Sequence, residues 1–134
     1  METWRQLICT ANQSFKIGDW QNAENHYLTA MERVAHLYKD YADNEQILMA
    51  WLASYHNLSE LYGRLGNVDA QLSHIMHPYH QLKNRLMTQA DHEPIYAAIL
   101  HGISLSCKEL YLYQKQQLER SGGVNVKYQY QTLH

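Results

Sequence analysis

Cysteine is scarce in this chain. Only Cys9 and Cys107 occur among its 134 residues, and neither has a second cysteine near it. The sequence therefore lacks the CxxC pair of a redox protein and the four-cysteine pattern of a zinc ribbon. A chain of this length buries enough surface to fold without a disulfide or a metal, so we predict that both thiols act as small apolar residues.

Long apolar runs and an excess of one charge are also missing. Gly18-Asp19 ends the first apolar segment well short of the roughly 20 residues that span a membrane, and the N-terminus lacks the order of a signal peptide. We expect a cytoplasmic protein with no membrane partner. Lys and Arg total 11 against 13 Asp and Glu, and the basic residues are scattered, which argues against a nucleic-acid partner.

Proline and glycine are few, and the apolar residues between them recur at intervals of three and four. This spacing is typical of amphipathic helices. It predicts five helices, which cover residues 2–16, Trp20 to the break at 40–44, about 44–65, Val68 to about Leu86, and about 92–120. Pro78 is expected to bend the fourth helix without ending it, and Asp91 to cap the fifth, with Pro94 in its first turn.

The C-terminal segment has a different pattern. After Ser121-Gly122-Gly123, valines and tyrosines alternate with polar residues from Val124 to Gln131, which is the period of a strand. We predict one helical domain over residues 1–121 and an extended or disordered tail over 122–134. The tail either stays free or docks on its own chain or on a neighbouring copy.

Two segments carry a resemblance to a known family. Gly18-Asp19-Trp20-Gln21-Asn22-Ala23, with Tyr27 and Ala30, resembles the turn and second helix of a tetratricopeptide repeat, and Asn57-Leu58-Ser59, with Tyr62 and Gly66-Asn67, is similar to the first helix and turn. The match is partial. Val68-Asp69-Ala70 places its alanine one residue early, and the two glycines are 66 − 18 = 48 residues apart, against the family's period of about 34.

This resemblance covers about residues 4–90 and implies an all-α fold. Antiparallel helical hairpins would stack as a short array of about five helices, the last helix acting as a half-repeat that caps the stack. An irregular up-and-down helical bundle is the alternative.

The resemblance also implies a binding face, because the first helix of each tetratricopeptide pair lines the concave side. That places seven residues in a peptide-binding groove: Arg5, Asn12, Lys16, His56, Asn57, Glu60 and Arg64. Some family members hold a peptide's terminal carboxylate with Lys and Asn, and Asn12, Lys16, Asn57 and Arg64 are the candidates here. Glu60 would oppose an acidic ligand. The alternative is an ordinary solvated surface.

A histidine pattern supports a second hypothesis. His74, His77 and His80 are three residues apart, so neighbouring members of the set lie close on a helix and could share a divalent metal ion. All three fit one ion badly, because the outer pair is about 120° out of line in a regular helix. The alternative is a solvated, histidine-rich face.

Catalytic patterns are missing. Asp19, Asp43, Asp69 and Asp91 stand at predicted helix starts, where capping explains them. Cys107 lies within a predicted helix and has no base beside it in the sequence. Gly122-Gly123 follows a helix, which is the reverse of the order in a phosphate-binding loop. We predict a protein that is not an enzyme and binds no cofactor.

The function we predict is protein–protein interaction, by an adaptor or small scaffold that holds a peptide or helix of a partner. The alternatives are a histidine-based bundle that binds a metal or small ligand and, third, an enzyme, which would need a deep pocket with converging acids or histidines. Homodimers are expected too, because short repeat arrays leave apolar ends. A monomer at high concentration would contradict that expectation.

Overall fold

The structure, a computed structural model, describes residues 1–89 and 94–122. These residues form five helices and no strand: α1 (Glu2–Lys16), α2 (Trp20–Asp40), α3 (Glu45–Arg64), α4 (Val68–Gln89) and α5 (Tyr96–Arg120). The predicted all-α fold is confirmed. None of the helices in the described ranges is long and apolar enough to cross a membrane.

Local interactions explain where the helices begin and end. Asp19 accepts a hydrogen bond from the backbone amide of Asn22, at 3.3 Å, and Asn44 accepts one from Ile47, at 3.1 Å. These bonds satisfy amides that the first turns of α2 and α3 leave without a helical partner. Asn44 therefore caps α3, although the sequence suggested Asp43. Gly18 follows α1 with a positive φ of 78°, a conformation that glycine adopts without steric cost.

The start of α5 differs from its prediction. The helix begins at Tyr96 and not at 92, with Ile95 as its N-cap residue and Pro94 in the turn before it. Asp91 lies outside the described residues, as does the tail from 123 onward. Pro78 is inside α4, so that helix does continue through its proline.

Helices that follow one another in the chain pack against each other, and α3 also contacts α5. Because α3 has α2 on one side and α4 on the other, its broad apolar face is covered from more than one direction. Trp4 of α1 donates a hydrogen bond to Ser54 of α3, at 2.8 Å, and Phe15 lies under Arg64. The α1 residue with the higher number contacts the α3 residue with the higher number, so α1 and α3 run in the same direction.

The buried apolar residues form two clusters. The smaller core contains residues of the first three helices, namely Ala11, Ala23, Tyr27, Leu58 and Leu61. The larger core contains residues from α2 to α5 and from the turn before α5, namely Val34, Ile47, Leu48, Ala50, Trp51, Leu52, Leu82, Ile95, Ala98 and Ile99. Since α2 and α3 contribute to both clusters, these two helices connect the cores.

Candidate binding cleft between α3 and α5

Gly102 of α5 packs closely against Leu82 of α4 and Leu52 of α3. A Cβ atom there would lie 2.8 Å from Leu82 Cδ1 and 3.4 Å from Leu52 Cδ2, so glycine permits this approach. One turn later, Ser106 Oγ of α5 lies 3.5 Å from His56 Nε2 of α3. Residue numbers again rise together across the two helices, and α5 therefore runs parallel to α3.

Beyond these two contacts the helices line a cavity of about 660 Å³. Its walls are the end of α3, the beginning of α4 and the C-terminal half of α5. We call it the α3–α5 cleft. Its lining residues are Ser59, Glu60, Gly63, Arg64, Gln71, Ile75, Glu109, Leu112, Tyr113, Lys115, Gln116, Glu119 and Arg120.

Gln71 of α4 contributes a buried polar group to the cleft. The residue is 8% exposed, and its side-chain amide lies against Gly63, where a Cβ atom would be 2.6 Å from Gln71 Nε2. Ser59 donates a hydrogen bond to the backbone carbonyl of Gln71, at 2.9 Å. Gln71 Oε1 is buried and has no hydrogen-bond partner among the described residues. Buried acceptors without a partner are uncommon and cost stability.

The charges of the cleft are unevenly distributed. Glu60 and Glu109 each lie about one helical turn beyond the His56–Ser106 contact, and we call this part of the cleft its inner end, whereas Lys115, Glu119 and Arg120 follow on the last turns of α5. Burial and, second, the negative charge of Glu60 raise the pKa of Glu109, and Lys108 opposes this effect. The inner end is therefore acidic, and two of the three charged side chains on the last turns of α5 are basic.

His56 and Ser106 contact each other next to the inner end of the cleft. Burial lowers the pKa of His56 to about 4, so the imidazole is neutral at pH 7. A serine beside a neutral histidine has the composition of a nucleophile and its base. Ser106, however, is 0% exposed. Neither His56 nor Ser106 is among the residues that line the cleft, so we interpret this pair as part of the packing between α3 and α5.

A family model described as "Protein of unknown function (DUF2753)" matches residues 2–121. The chain belongs to the DUF2753 family. The matched span includes all five helices and every residue that lines the cleft, so the cleft lies within the DUF2753 domain. No curated protein and no solved structure matches the chain.

The DUF2753 domain divides the seven residues that the sequence placed in one groove. Glu60 and Arg64 line the cleft, and His56 lies next to its inner end. The α1 members, Arg5, Asn12 and Lys16, are exposed on the other side of α3, and Asn57 is half-buried outside the cleft lining. The Asn12 carbonyl accepts a hydrogen bond from the Tyr27 hydroxyl, which occupies it within the protein.

Sequence analysis missed the part of the cleft that α5 contributes. Glu109, Tyr113, Gln116 and Arg120 are spaced by four, three and four residues, which places them on one face of a helix. This polar stripe was the signal in the sequence that could have identified the α5 residues. Gln71 carried no comparable signal, because one glutamine in a helical pattern is ordinary.

The three histidines of α4 each contact an aromatic ring in the DUF2753 domain. His74 is centred 5.1 Å from Tyr62, His77 5.1 Å from Tyr55, and His80 5.4 Å from Tyr79. His74 Nδ1 also lies 2.7 Å from the Ala70 carbonyl, to which it can only donate. Within residues 1–89 and 94–122, no three His, Cys, Asp or Glu side chains are arranged to hold a metal ion. A three-histidine site gains no support, and a site on two of them stays a prediction.

Proposed function

We propose that this protein is a non-catalytic interaction module, an adaptor or small scaffold of the cytoplasm, that binds a peptide or helix of a partner protein in the α3–α5 cleft. The observation that carries the proposal is the cleft's composition. It combines charged side chains of both signs and the unpartnered Gln71 Oε1 with Leu112, which is 45% exposed. Such a surface offers hydrogen bonds, ion pairs and an apolar contact to a polypeptide segment.

The arrangement of the helices supports a tetratricopeptide-like stack as part of this proposal. Each helix packs on the next, and α1, α3 and α5 run in the same direction along one layer. In the repeat family these positions belong to the first helices, which line the binding side. The cleft lies between two of them, α3 and α5.

A small-molecule site is less well supported by the same cavity. Its volume of about 660 Å³ falls within the range of small-molecule pockets, but such pockets are lined mainly by hydrophobic and aromatic side chains. Here six of the thirteen lining residues are charged, and the side chain of Ile75 is fully buried, which leaves Leu112 and Tyr113 as the apolar contacts. This polarity favours a peptide, whose backbone and side chains present both charges and hydrogen-bonding groups.

Site-specific photo-cross-linking tests the proposal. The variant Gln116→p-benzoylphenylalanine places the cross-linker in the cleft, and Gln21→p-benzoylphenylalanine places it on exposed α2 as the control. Both would be irradiated in the cells that naturally produce the protein. We expect a partner that cross-links only from position 116. The cross-linked segment would then be synthesised, and its affinity for the purified protein measured by calorimetry.

A matched pair of variants decides whether the cleft itself binds that segment. Leu112→Arg places a charge in the cleft, whereas Leu28→Arg places one on α2, where Leu28 is similarly exposed at 42%. We expect at least a tenfold loss of affinity for Leu112→Arg and less than a twofold change for Leu28→Arg. Equal affinity of both variants, with unchanged circular dichroism, would contradict the proposed function.

A further inference from the structure

We infer that the inner end of the α3–α5 cleft binds the cationic side chain of an arginine or lysine in the partner segment. This inference rests on the proposed function and adds the chemistry that the cleft recognises. Three acceptors line this end of the cleft, namely the carboxylates of Glu60 and Glu109 and the amide of Gln71.

Neither carboxylate has an ion-pair partner within the described part of the protein, and the charge of Lys108 only partly offsets the raised pKa of Glu109. The one ion pair among the described residues joins Arg85 to Asp43, so Glu60 and Glu109 have no basic partner within ion-pair distance. Arg64 is one turn from Glu60, but its guanidinium lies over the Phe15 ring, 5.5 Å from the centroid, and therefore faces α1. Gln71 Oε1 is a buried acceptor without a donor. Two carboxylates and an amide oxygen together lack positive charge and N–H donors.

An arginine or lysine side chain supplies both the positive charge and the N–H donors. Its N–H groups can bond to the carboxylates and to the amide oxygen, and charge-assisted bonds of this kind are stronger than neutral ones. Its aliphatic stem can pack beside Leu112, which is 45% exposed, and the ring of Tyr113 in the same lining can contact the cation. Repulsion from Glu60 contributes to the raised pKa of Glu109, and a cation between the two carboxylates would relieve it.

The size of the cleft favours an organic cation over a metal ion. A calcium ion requires six to eight oxygen ligands at about 2.3–2.6 Å, whereas this cavity of about 660 Å³ has an aliphatic and aromatic wall. Lys115 and Arg120 on the last turns of α5 would repel a second cation. They orient the partner segment, with its basic residue at the inner end and an acidic or carboxylate group farther out.

Nuclear magnetic resonance titration of the ¹⁵N-labelled full chain tests this inference. The probe is the peptide acetyl-Ala-Ala-Arg-Ala-Ala-amide, and its control carries citrulline in place of arginine, which has the same shape without the charge. We expect the arginine peptide to shift the Gln71 side-chain amide and the backbone amides of Glu60 and Glu109 in a saturable manner. The citrulline peptide should leave these signals in place.

Isosteric variants supply the matched comparison. Glu60→Gln with Glu109→Gln keeps the shape of the cleft, and we expect at least a tenfold weaker response to the arginine peptide. Glu32→Gln removes an exposed carboxylate of α2 outside the cleft, and the response should change less than twofold. Urea denaturation checks that the variants fold. Glu109→Gln should be at least as stable as wild type at pH 7, because the raised pKa of Glu109 means that ionisation is unfavourable in the folded state.

Several results would overturn the inference. They are equal shifts from the arginine and citrulline peptides, no shift from either, or an unchanged response of the double variant. Saturable shifts of the same signals by calcium or magnesium chloride alone would indicate a metal site, and tighter binding of spermidine than of the peptide would indicate a free polyamine site. A cross-linked partner segment that occupies the cleft without a lysine or arginine would overturn this inference and leave the proposed function standing.

Discussion

His56 shows how burial of a single side chain controls its protonation. The ring sits between α3 and α5 and faces Ser106, and burial lowers the pKa of His56 to about 4 from an ordinary value of 6.5. Between these two pH values the unfolded chain binds a proton at this position more readily than the folded chain does. The free energy of unfolding therefore falls as the pH drops through this window.

We predict that His56→Gln reduces this dependence on pH. The full difference in the pKa of His56 would correspond to a change of about 3 kcal/mol in the free energy of unfolding. Because solvent reaches part of the ring, we expect His56 to contribute about 1–2 kcal/mol of that change. Urea denaturation at pH 7 and pH 4.5 measures the loss of stability between these two pH values. His101→Gln, which replaces an exposed histidine of α5, is the control. If wild type and His56→Gln lose the same stability between these pH values, another group is responsible.

At the scale of one element, the start of α2 depends on Asp19. Its carboxylate accepts hydrogen bonds from the backbone amide of Asn22, at 3.3 Å, and from the Asn22 side chain, at 2.7 Å. The negative charge also lies at the positive end of the helix dipole. The same residue follows the glycine turn that joins α1 to α2, so it stabilises the first hairpin as well.

We predict that Asp19→Ala lowers the free energy of unfolding by about 1 kcal/mol, which is typical for loss of an N-cap. Asp19→Asn keeps the acceptor and should retain most of the stability. Chemical denaturation monitored by far-ultraviolet circular dichroism gives both values. A loss of the same size in both variants would attribute the effect to the charge and not to the cap.

At the scale of the whole molecule, the two cores are connected by α2 and α3. Val34 and Tyr27 of α2 belong to different cores, as do Leu52 and Leu58 of α3. Because each of these helices is continuous through both clusters, loss of packing in one core should be transmitted to the other. The five helices are then expected to unfold as one cooperative unit.

Two core substitutions test this cooperativity. Leu58→Ala in the smaller core and Leu82→Ala in the larger core should each cost about 2–5 kcal/mol, because both side chains are fully buried. Circular dichroism and tryptophan fluorescence should report the same single transition in both variants. Separate transitions for Leu82→Ala would show that the α4–α5 half unfolds independently.

The apolar spacing and the turn residues were enough to locate the helices. The bounds of α1 and the start of α2 agree with prediction, because they depend on interactions within a few residues, such as the Asp19 cap and the positive φ of Gly18. The start of α5 was placed four residues too early, because Pro94 and Ile95 form a turn and not the first turn of the helix.

The binding face was only partly predictable. Glu60 and Arg64 were identified from the repeat resemblance, and both line the cleft. Asn12 looked like a similar candidate, but its carbonyl bonds to Tyr27, a contact between two helices. Gln71 became a candidate only when the structure placed its amide against Gly63 and left Oε1 without a partner among the described residues.

The sequence alone therefore determined the all-α class, the approximate helix bounds and the Asp19 cap of α2, because these depend on neighbouring residues in the chain. The tertiary structure decided which helix faces meet and where they separate. Gly102 lets α5 pack closely on Leu82 of α4 and Leu52 of α3, and farther along, α3 and α5 leave a cleft that Glu60 and Glu109 line. The position of the site depends on side-chain packing between residues about fifty positions apart in the chain. No local pattern in the sequence shows which residues that far apart will be in contact.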